Sequence, residues 1–242
     1  MKIVKVKDYE EMSQKAAELI VAEVKKNPQI VLGLATGSTP EGLYQRLIED
    51  HQTNGTTYKE VTTFNLDEYI GLPKEDRNSY YTFMKTHLFD HIDVPVEQAH
   101  LPSGENEDLS AECEAYEALI HEAGGVDIQV LGIGGNGHIG FNEPGTSFDS
   151  LTHIIELDES TREANARFFN SLEEVPTQAI TMGIQTIMAA KKIVLLASGS
   201  AKVEAISKLL SGEVTEAFPA SCLHQHPNVT VIVDEAALNE NK

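Results

Sequence analysis

Apolar and polar positions follow two periods along this chain, and the periods take turns. Within Asp8–Asn27, residues Met12, Ala16, Leu19, Ile20 and Val24 recur at three- and four-residue spacing, which places them on one face of a helix. Ile30–Ala35 is then a continuous apolar run of strand length. Glu41–His51 returns to the helical period, with Thr39 as N-cap and Pro40 at the first helical position. The same reading predicts strands over Val61–Leu66, Asp127–Ile133, Thr152–Leu157, Ile193–Ala197 and Val229–Val233. It predicts helices over Tyr80–Phe89, Leu109–Glu122, Ser160–Phe169, Ile184–Ala190 and Ala201–Leu210, with loops at Gly71–Ser79 and Gly212–Pro219. Strands alternating with helices predict an α/β fold, a Rossmann-like, mostly parallel sheet with helices on both faces. Unbroken apolar strands suit a sheet covered on both sides. No repeat or linker divides the chain, and 242 residues suit one α/β unit, so 1–242 reads as a single domain.

Composition narrows the class. The longest apolar runs are strand-sized, far short of a membrane span. The opening Met1-Lys-Ile-Val-Lys-Val-Lys-Asp runs into a polar helix and carries no secretory pattern. Cys113 and Cys222 are too few and too distant for a disulfide scaffold, which points to free thiols and a cytoplasmic location. A net charge of -20 speaks against nucleic-acid binding, which depends on Lys and Arg neutralising phosphates. The same charge repels a phosphate ester at long range, so such a ligand has to be held by local donors.

Ligands of open α/β sheets bind beyond the carboxyl ends of the strands. After Ala35 comes Thr36-Gly37-Ser38-Thr39, where a glycine and a helix N-terminus form either an anion seat or an ordinary helix start. Ser198-Gly199-Ser200-Ala201-Lys202 repeats the pattern; its lysine opposes the helix dipole unless an anion lies between them. In Asn65-Leu66-Asp67-Glu68-Tyr69, two carboxylates stand at a strand end, placed to reach a cleft or to cap a turn.

Gly132–Pro144 carries the densest signal. Gly132, Gly134 and Gly137 spell a formal dinucleotide fingerprint, but that fingerprint needs a helix at its last glycine. Gly140, Pro144 and Gly145 follow too closely for one to form. The glycines instead shape an irregular loop around His138 and Glu143, residue types suited to acid–base work near neutral pH. His87 with His91, and His224 with His226, have metal-pair spacing but no apparent third ligand, so no metal is expected.

Together, Gly33–Pro40, Asn65–Tyr69, Gly132–Pro144, Thr161–Phe169 and Ser198–Lys202 closely resemble the glucosamine-6-phosphate deaminase family, over essentially the whole chain. The resemblance implies conversion of glucosamine 6-phosphate to fructose 6-phosphate and ammonia, in amino-sugar catabolism, with no metal or organic cofactor. It implies Asp67 as the base for the C2 proton and His138 as the group that opens the sugar ring, with Asn136 and Glu143 flanking it. Thr36, Gly37, Ser38 and Thr39, with Arg167 and Lys202, are expected to hold the phosphate. A mobile lid is expected over about Thr152 to Val175.

Two departures bear on these expectations. Many members carry Asp where this chain has Asn136, whose amide carbonyl remains able to accept the second ring N–H of His138. The allosteric members carry basic residues where His153 and Ile155 stand here and continue beyond the length of this chain, so weak or absent activation is expected, and a monomer rather than a hexamer. A 6-phosphogluconolactonase resembles this sequence around Gly137-His138, but Phe141-Asn142-Glu143-Pro144 and Asp67-Glu68-Tyr69 favour the deaminase. A sugar-phosphate sensor in a regulator calls for a basic helix-turn-helix, which the acidic charge and N-terminal pattern do not offer.

Overall fold

The computed structural model describes residues 1–240. Asn241 and Lys242, the last two positions of the expected 1–242 domain, lie outside the described residues. The frame is a seven-stranded sheet, parallel at every pairing, built from β1 (Lys2–Val6), β2 (Val31–Leu34), β3 (Thr62–Asn65), β5 (Ala99–His100), β6 (Ile128–Leu131), β9 (Lys192–Ala197) and β10 (Val229–Asp234). Its order is β1-β10-β9-β6-β2-β3-β5. A second sheet, antiparallel, sets β8 (Gln178–Thr181) between β4 (Asp67–Tyr69) and β7 (His153–Glu156).

Alternate residues of the parallel strands serve opposite faces, as the strand period requires. On β9, Val194 and Leu196 pack with Met12, Ile20, Leu43 and Leu47 of α1 (Tyr9–Lys26) and α2 (Ser38–Asn54). Ile193, Leu195 and Ala197 pack on the other side with Tyr116 of α4 (Leu109–Glu122), Ile187 of α6 (Ile184–Met188) and Ile206 of α7 (Val203–Leu210). The remaining helices are α3 (Tyr80–His87) and α5 (Glu159–Asn165). The expected α/β fold with a parallel sheet and helices on both faces is what the chain adopts.

The differences lie in short elements. The chain begins with strand β1, not with a helix: Lys2–Val6 pairs along β10 at the sheet edge, where Lys2, Ile3 and Lys5 stay exposed. Thr39 does not cap α2; Gly37 does, at φ 91°, a backbone conformation that favours glycine. The strand expected over Val61–Leu66 is β3, Thr62–Asn65; the chain leaves the parallel sheet at Leu66 and enters the antiparallel one as β4. Thr152–Leu157 also belongs to that second sheet. The helix expected over Ser160–Phe169 stops as α5 at Asn165 and continues as a 3-10 turn, Ala166–Phe168. Ala201–Leu210 likewise begins as a 3-10 turn, and α7 proper starts at Val203.

The sheet order fixes where a ligand goes. From β2 the chain moves outward to β3 on one side, while β6 on the other side leads to β9 and β10. The reversal between β2 and β6 opens a crevice at their carboxyl ends. The Gly37 turn follows β2 and the Gly132–Pro144 loop follows β6, so both flank that crevice.

Candidate active site

A cavity of about 570 Å³ occupies this crevice. Thr36, Gly37, Ser38, Thr39, Asp67, His138, Arg167 and Lys202 all line it, together with Tyr69, Tyr80 and Asn165.

The anion end is built from the first turn. The extended residues before Gly37 and the start of α2 leave the Ser38 and Thr39 segment at a helix N-terminus, where backbone N–H groups and the dipole favour negative charge. Arg167 reaches across from the segment after α5 and donates from Nη2 to Ser38 Oγ at 3.3 Å. Lys202 donates from Nζ to the Ile133 carbonyl at 2.7 Å. Burial, and then the positive charge of Arg167, hold the Lys202 ammonium below its ordinary range. Two cations held together in a partly buried place favour an anion between them.

The second glycine turn is not a copy of the first. Asp234, at the end of β10, accepts hydrogen bonds from Gly199 N at 3.1 Å and from Ser198 Oγ at 2.5 Å. That carboxylate takes up the Ser198 hydroxyl and the Gly199 N–H, and the turn meets the cavity through Ser198, Ala201 and Lys202.

Asp67 and Glu68, adjacent on β4, point to opposite faces. Glu68 turns away from the cavity and accepts three backbone N–H groups, Tyr69 at 2.8 Å, Tyr80 at 2.9 Å and Tyr81 at 2.9 Å, which caps α3. Asp67 faces the cavity, and no hydrogen bond to its carboxylate is made among the described residues. Burial, with a smaller contribution from the charge of Glu68, raises its affinity for a proton well above that of an ordinary aspartate. A carboxylate in that state is a stronger base once ionised.

The loop after β6 supplies the imidazole. His138 opens on the cavity, and its Nδ1 lies 3.5 Å from Glu143 Oε2. Glu143 is buried. Burial alone would raise its pKa, but hydrogen bonds from His138, Thr161 and Asn136, with the charge of His138, outweigh it and hold the carboxyl below the ordinary range. Asn136 departs from expectation. Its carbonyl accepts the backbone N–H of His138 at 3.1 Å, not the ring N–H, and its amide donates to Glu143 Oε2 at 2.9 Å. Asn136 thus touches the imidazole only through Glu143.

Of the segment Thr152–Val175, where a lid is expected, the first part is tied into the second sheet. His153–Glu156 is strand β7, paired residue for residue with β8, and Leu157 N donates to Thr177 O at 2.8 Å. The flap beyond those pairs is Asp158–Val175. Ala164, Asn165, Arg167, Phe168 and Phe169 of this flap line the cavity. Asn165 Nδ2 donates to Tyr69 Oη at 2.9 Å, and Phe169 packs edge-on against the Tyr69 ring. Tyr69, Tyr80 and Thr161 were not legible as site residues from spacing; the antiparallel sheet that gathers them has no simple sequence signal.

The histidine pairs hold no metal arrangement. His226 Nε2 meets Ala190 O at 2.7 Å, His224 Nε2 meets Leu209 O at 2.7 Å, His91 Nε2 meets Thr86 O at 2.9 Å, and His87 stacks on Phe83. Among the described residues, no helix is long and apolar enough to cross a membrane.

A cleft lined by a proton-avid carboxylate, an imidazole and paired cations suits an α/β enzyme acting on an anionic substrate. The class narrows on comparison: a family model described as glucosamine-6-phosphate isomerases/6-phosphogluconolactonase matches residues 7–232, and the chain belongs to that family. The glucosamine-6-phosphate deaminase of Halalkalibacterium halodurans is 61% identical over 240 residues, covering 99% of this chain and 98% of the relative. Glucosamine-6-phosphate deaminase 1 of Bacillus subtilis is 53% identical over 237 residues, covering 98% of each. The solved structure of a monomeric glucosamine-6-phosphate deaminase matches with TM-score 0.98 and 52% identity, covering 100% of both chains. A 6-phosphogluconolactonase from Trypanosoma brucei, at TM-score 0.78 and 20% identity over 100% of this chain and 98% of its own, shares the fold.

Proposed function

We propose that this enzyme converts glucosamine 6-phosphate and water to fructose 6-phosphate and ammonia, as its named relatives do. The observation that carries the reading is the placing of Asp67 and His138 on one cavity, with the cations Arg167 and Lys202 lining it as well. His138 moves a proton from O1 to the ring oxygen O5 and opens the sugar. The open aldehyde acidifies the C2 hydrogen, and Asp67 removes it to give an enolamine. A proton returned to C1 leaves an iminium at C2; water adds there and ammonia departs. Glu143 stabilises the imidazolium, and Asn136 holds Glu143. The Gly37–Thr39 turn, Arg167 and Lys202 bind the phosphate. This chemistry takes no metal or organic cofactor.

The reading extends to a monomer in the cytoplasm acting in amino-sugar catabolism, with hyperbolic saturation and little activation by an N-acetylated sugar phosphate. The 53–63% identity to named deaminases supports the activity, and the near-identical fold of a monomeric relative supports the monomer. Purified protein given glucosamine 6-phosphate in deuterated water should release ammonia and fructose 6-phosphate in equal amounts, with deuterium at C1. Protein that is folded yet releases no ammonia, or an Asp67→Asn variant with wild-type turnover, would refute the assignment.

A further inference from the structure

Within the loop alone the acid–base pair is slack. The 3.5 Å between His138 Nδ1 and Glu143 Oε2 is long for a hydrogen bond. What tightens the arrangement comes from outside the loop. Thr161, on α5 of the flap, is only 3% exposed, and its Oγ1 lies 3.4 Å from the same Nδ1. Three residues earlier, the Asp158 backbone N–H donates to Glu143 Oε1 at 3.2 Å. The flap therefore reaches both members of the pair, the carboxylate through the Asp158 N–H and the imidazole through the Thr161 hydroxyl, while Asn136 holds the carboxylate from its own loop.

We propose that Thr161 is a positioning residue through which the flap completes the acid–base pair, its hydroxyl fixing His138 against Glu143 only when the flap is down. The proposal rests on the deaminase reading above. The flap is constructed to act as one body. Arg162 Nη2 donates to Leu172 O at 3.1 Å and to Val175 O at 3.0 Å, which ties α5 to the far end of the segment. The flap's other holds on the frame include Asn165 to Tyr69, Arg167 to Ser38, and Arg77, from the loop before α3, to Asn170. Arg167 belongs to the anion seat, so the group that captures the phosphate sits on the same body as Thr161. Phosphate capture and assembly of the proton-transfer pair then become one event. Raising the flap removes the Asp158 N–H from Glu143 and the Thr161 hydroxyl from His138 together, and leaves the carboxylate to Asn136 and the imidazole.

The charged groups around the pair are few. Asp67 faces the cavity from β4, Lys202 and Arg167 stand at the anion end, and Arg77 lines the cavity from the loop before α3. Asp158, at the N-cap of α5, turns its own carboxylate to Ser160, whose backbone N–H donates to it at 2.9 Å. A change made at Thr161 therefore reads on His138 and Glu143 without displacing another charge.

Thr161→Val keeps the shape and deletes the hydroxyl; Thr161→Ser keeps the hydroxyl. With glucosamine 6-phosphate as substrate, Thr161→Val should lower kcat about tenfold with KM within about twofold, the pattern of an interaction needed for the proton-transfer step. The acid limb of its kcat profile should move up by about half a unit as Glu143 loses a hydrogen-bond donor. Thr161→Ser should recover both. The ring N–H NMR signal of His138, assigned by its loss in His138→Gln, should shift or broaden in Thr161→Val and return in Thr161→Ser. A purely structural role predicts equal losses in the two variants, a lowered unfolding temperature and an unchanged His138 signal, and that outcome overturns the proposal. So does a Thr161→Val enzyme with wild-type kcat and pH profile. If Thr161→Val does not fold, Thr161→Ala takes its place in the same comparison. Failure of wild type to release ammonia would count against the deaminase reading, while the NMR comparison would still decide the role of Thr161.

Discussion

The imidazole of His138 rests against the bare α-carbon of Gly134: a β-carbon there would fall 2.2 Å from ring Cε1 and 2.4 Å from both ring nitrogens. The loop closes on itself around this contact, with Gly134 N donating to His138 O at 2.9 Å. Gly134 is thus required for the space it leaves, and the ring can occupy its place only while that residue has no side chain.

Gly134→Ala should therefore displace His138 and cost about 100-fold or more in kcat, the scale of a 1 Å misplacement of a reacting group. The unfolding temperature should change little, because the displaced ring has the cavity to move into. Steady-state kinetics beside a thermal melt checks both halves. An alanine variant with wild-type kcat would show that the ring position is not critical.

Asp67→Asn should abolish turnover and stabilise the fold at high pH. The folded-state pKa of Asp67 is raised, so ionisation in place is a cost. That cost is absent below the unfolded value, grows as pH rises towards the folded value and is complete above it. The gain from the amide should be largest at alkaline pH and disappear as the solution approaches pH 4. Each kcal/mol of relief reads as about 2–4 °C of unfolding temperature in a chain of this size. Melts of both proteins across pH 4–9 test the sign.

Asn136→Asp places a second carboxylate oxygen where an amide nitrogen now lies 2.9 Å from Glu143 Oε2. Two carboxylates that close hold a proton between them more firmly. The acid limb of the kcat profile should move up by about one unit. Stability should follow. The depressed pKa of Glu143 contributes stability above the unfolded value, lost as pH falls through the folded one. In the variant that contribution shrinks, so the unfolding temperature near pH 7 should fall. An unshifted limb would mean that the two side chains rearrange.

Lys202→Ala should raise KM for glucosamine 6-phosphate by about 10- to 100-fold, with kcat far less affected, as expected for loss of a charge-assisted bond made alike in ground and transition states. Inhibition by inorganic phosphate should weaken in parallel. A variant that lost kcat with KM unchanged would move Lys202 from binding to chemistry.

Much of this site was legible in the sequence because its parts sit where local rules speak loudly. Gly37 and the start of α2 follow from a strand, a glycine and a helix period, and Gly132–Pro144 from glycine density and a forbidden helix. The fold class followed from alternating periods, and Asp67, His138 and Glu143 from motif. What stayed hidden depends on long-range pairing. β4 is three residues long and pairs with a strand more than 100 residues away, so nothing nearby separates it from β3. The physical reason that Asp67 and not Glu68 serves the cleft lies in α3, whose first N–H groups consume Glu68. The contacts of Asn136 stayed hidden because its partner is selected by loop curvature, and those of Ser198 and Gly199 because Asp234 comes from the last strand.

The pairing of two cations in one cleft with a chain charge of -20 has a kinetic consequence. Charges separated by more than about 8 Å are largely screened at physiological salt. An incoming phosphate ester therefore feels Arg167 and Lys202 only when it is almost in place, and at low salt it is turned away before that. The enzyme does not recruit its substrate from a distance. Arrival is left to unaided diffusion, and selectivity is exercised through how long a molecule stays once it has entered.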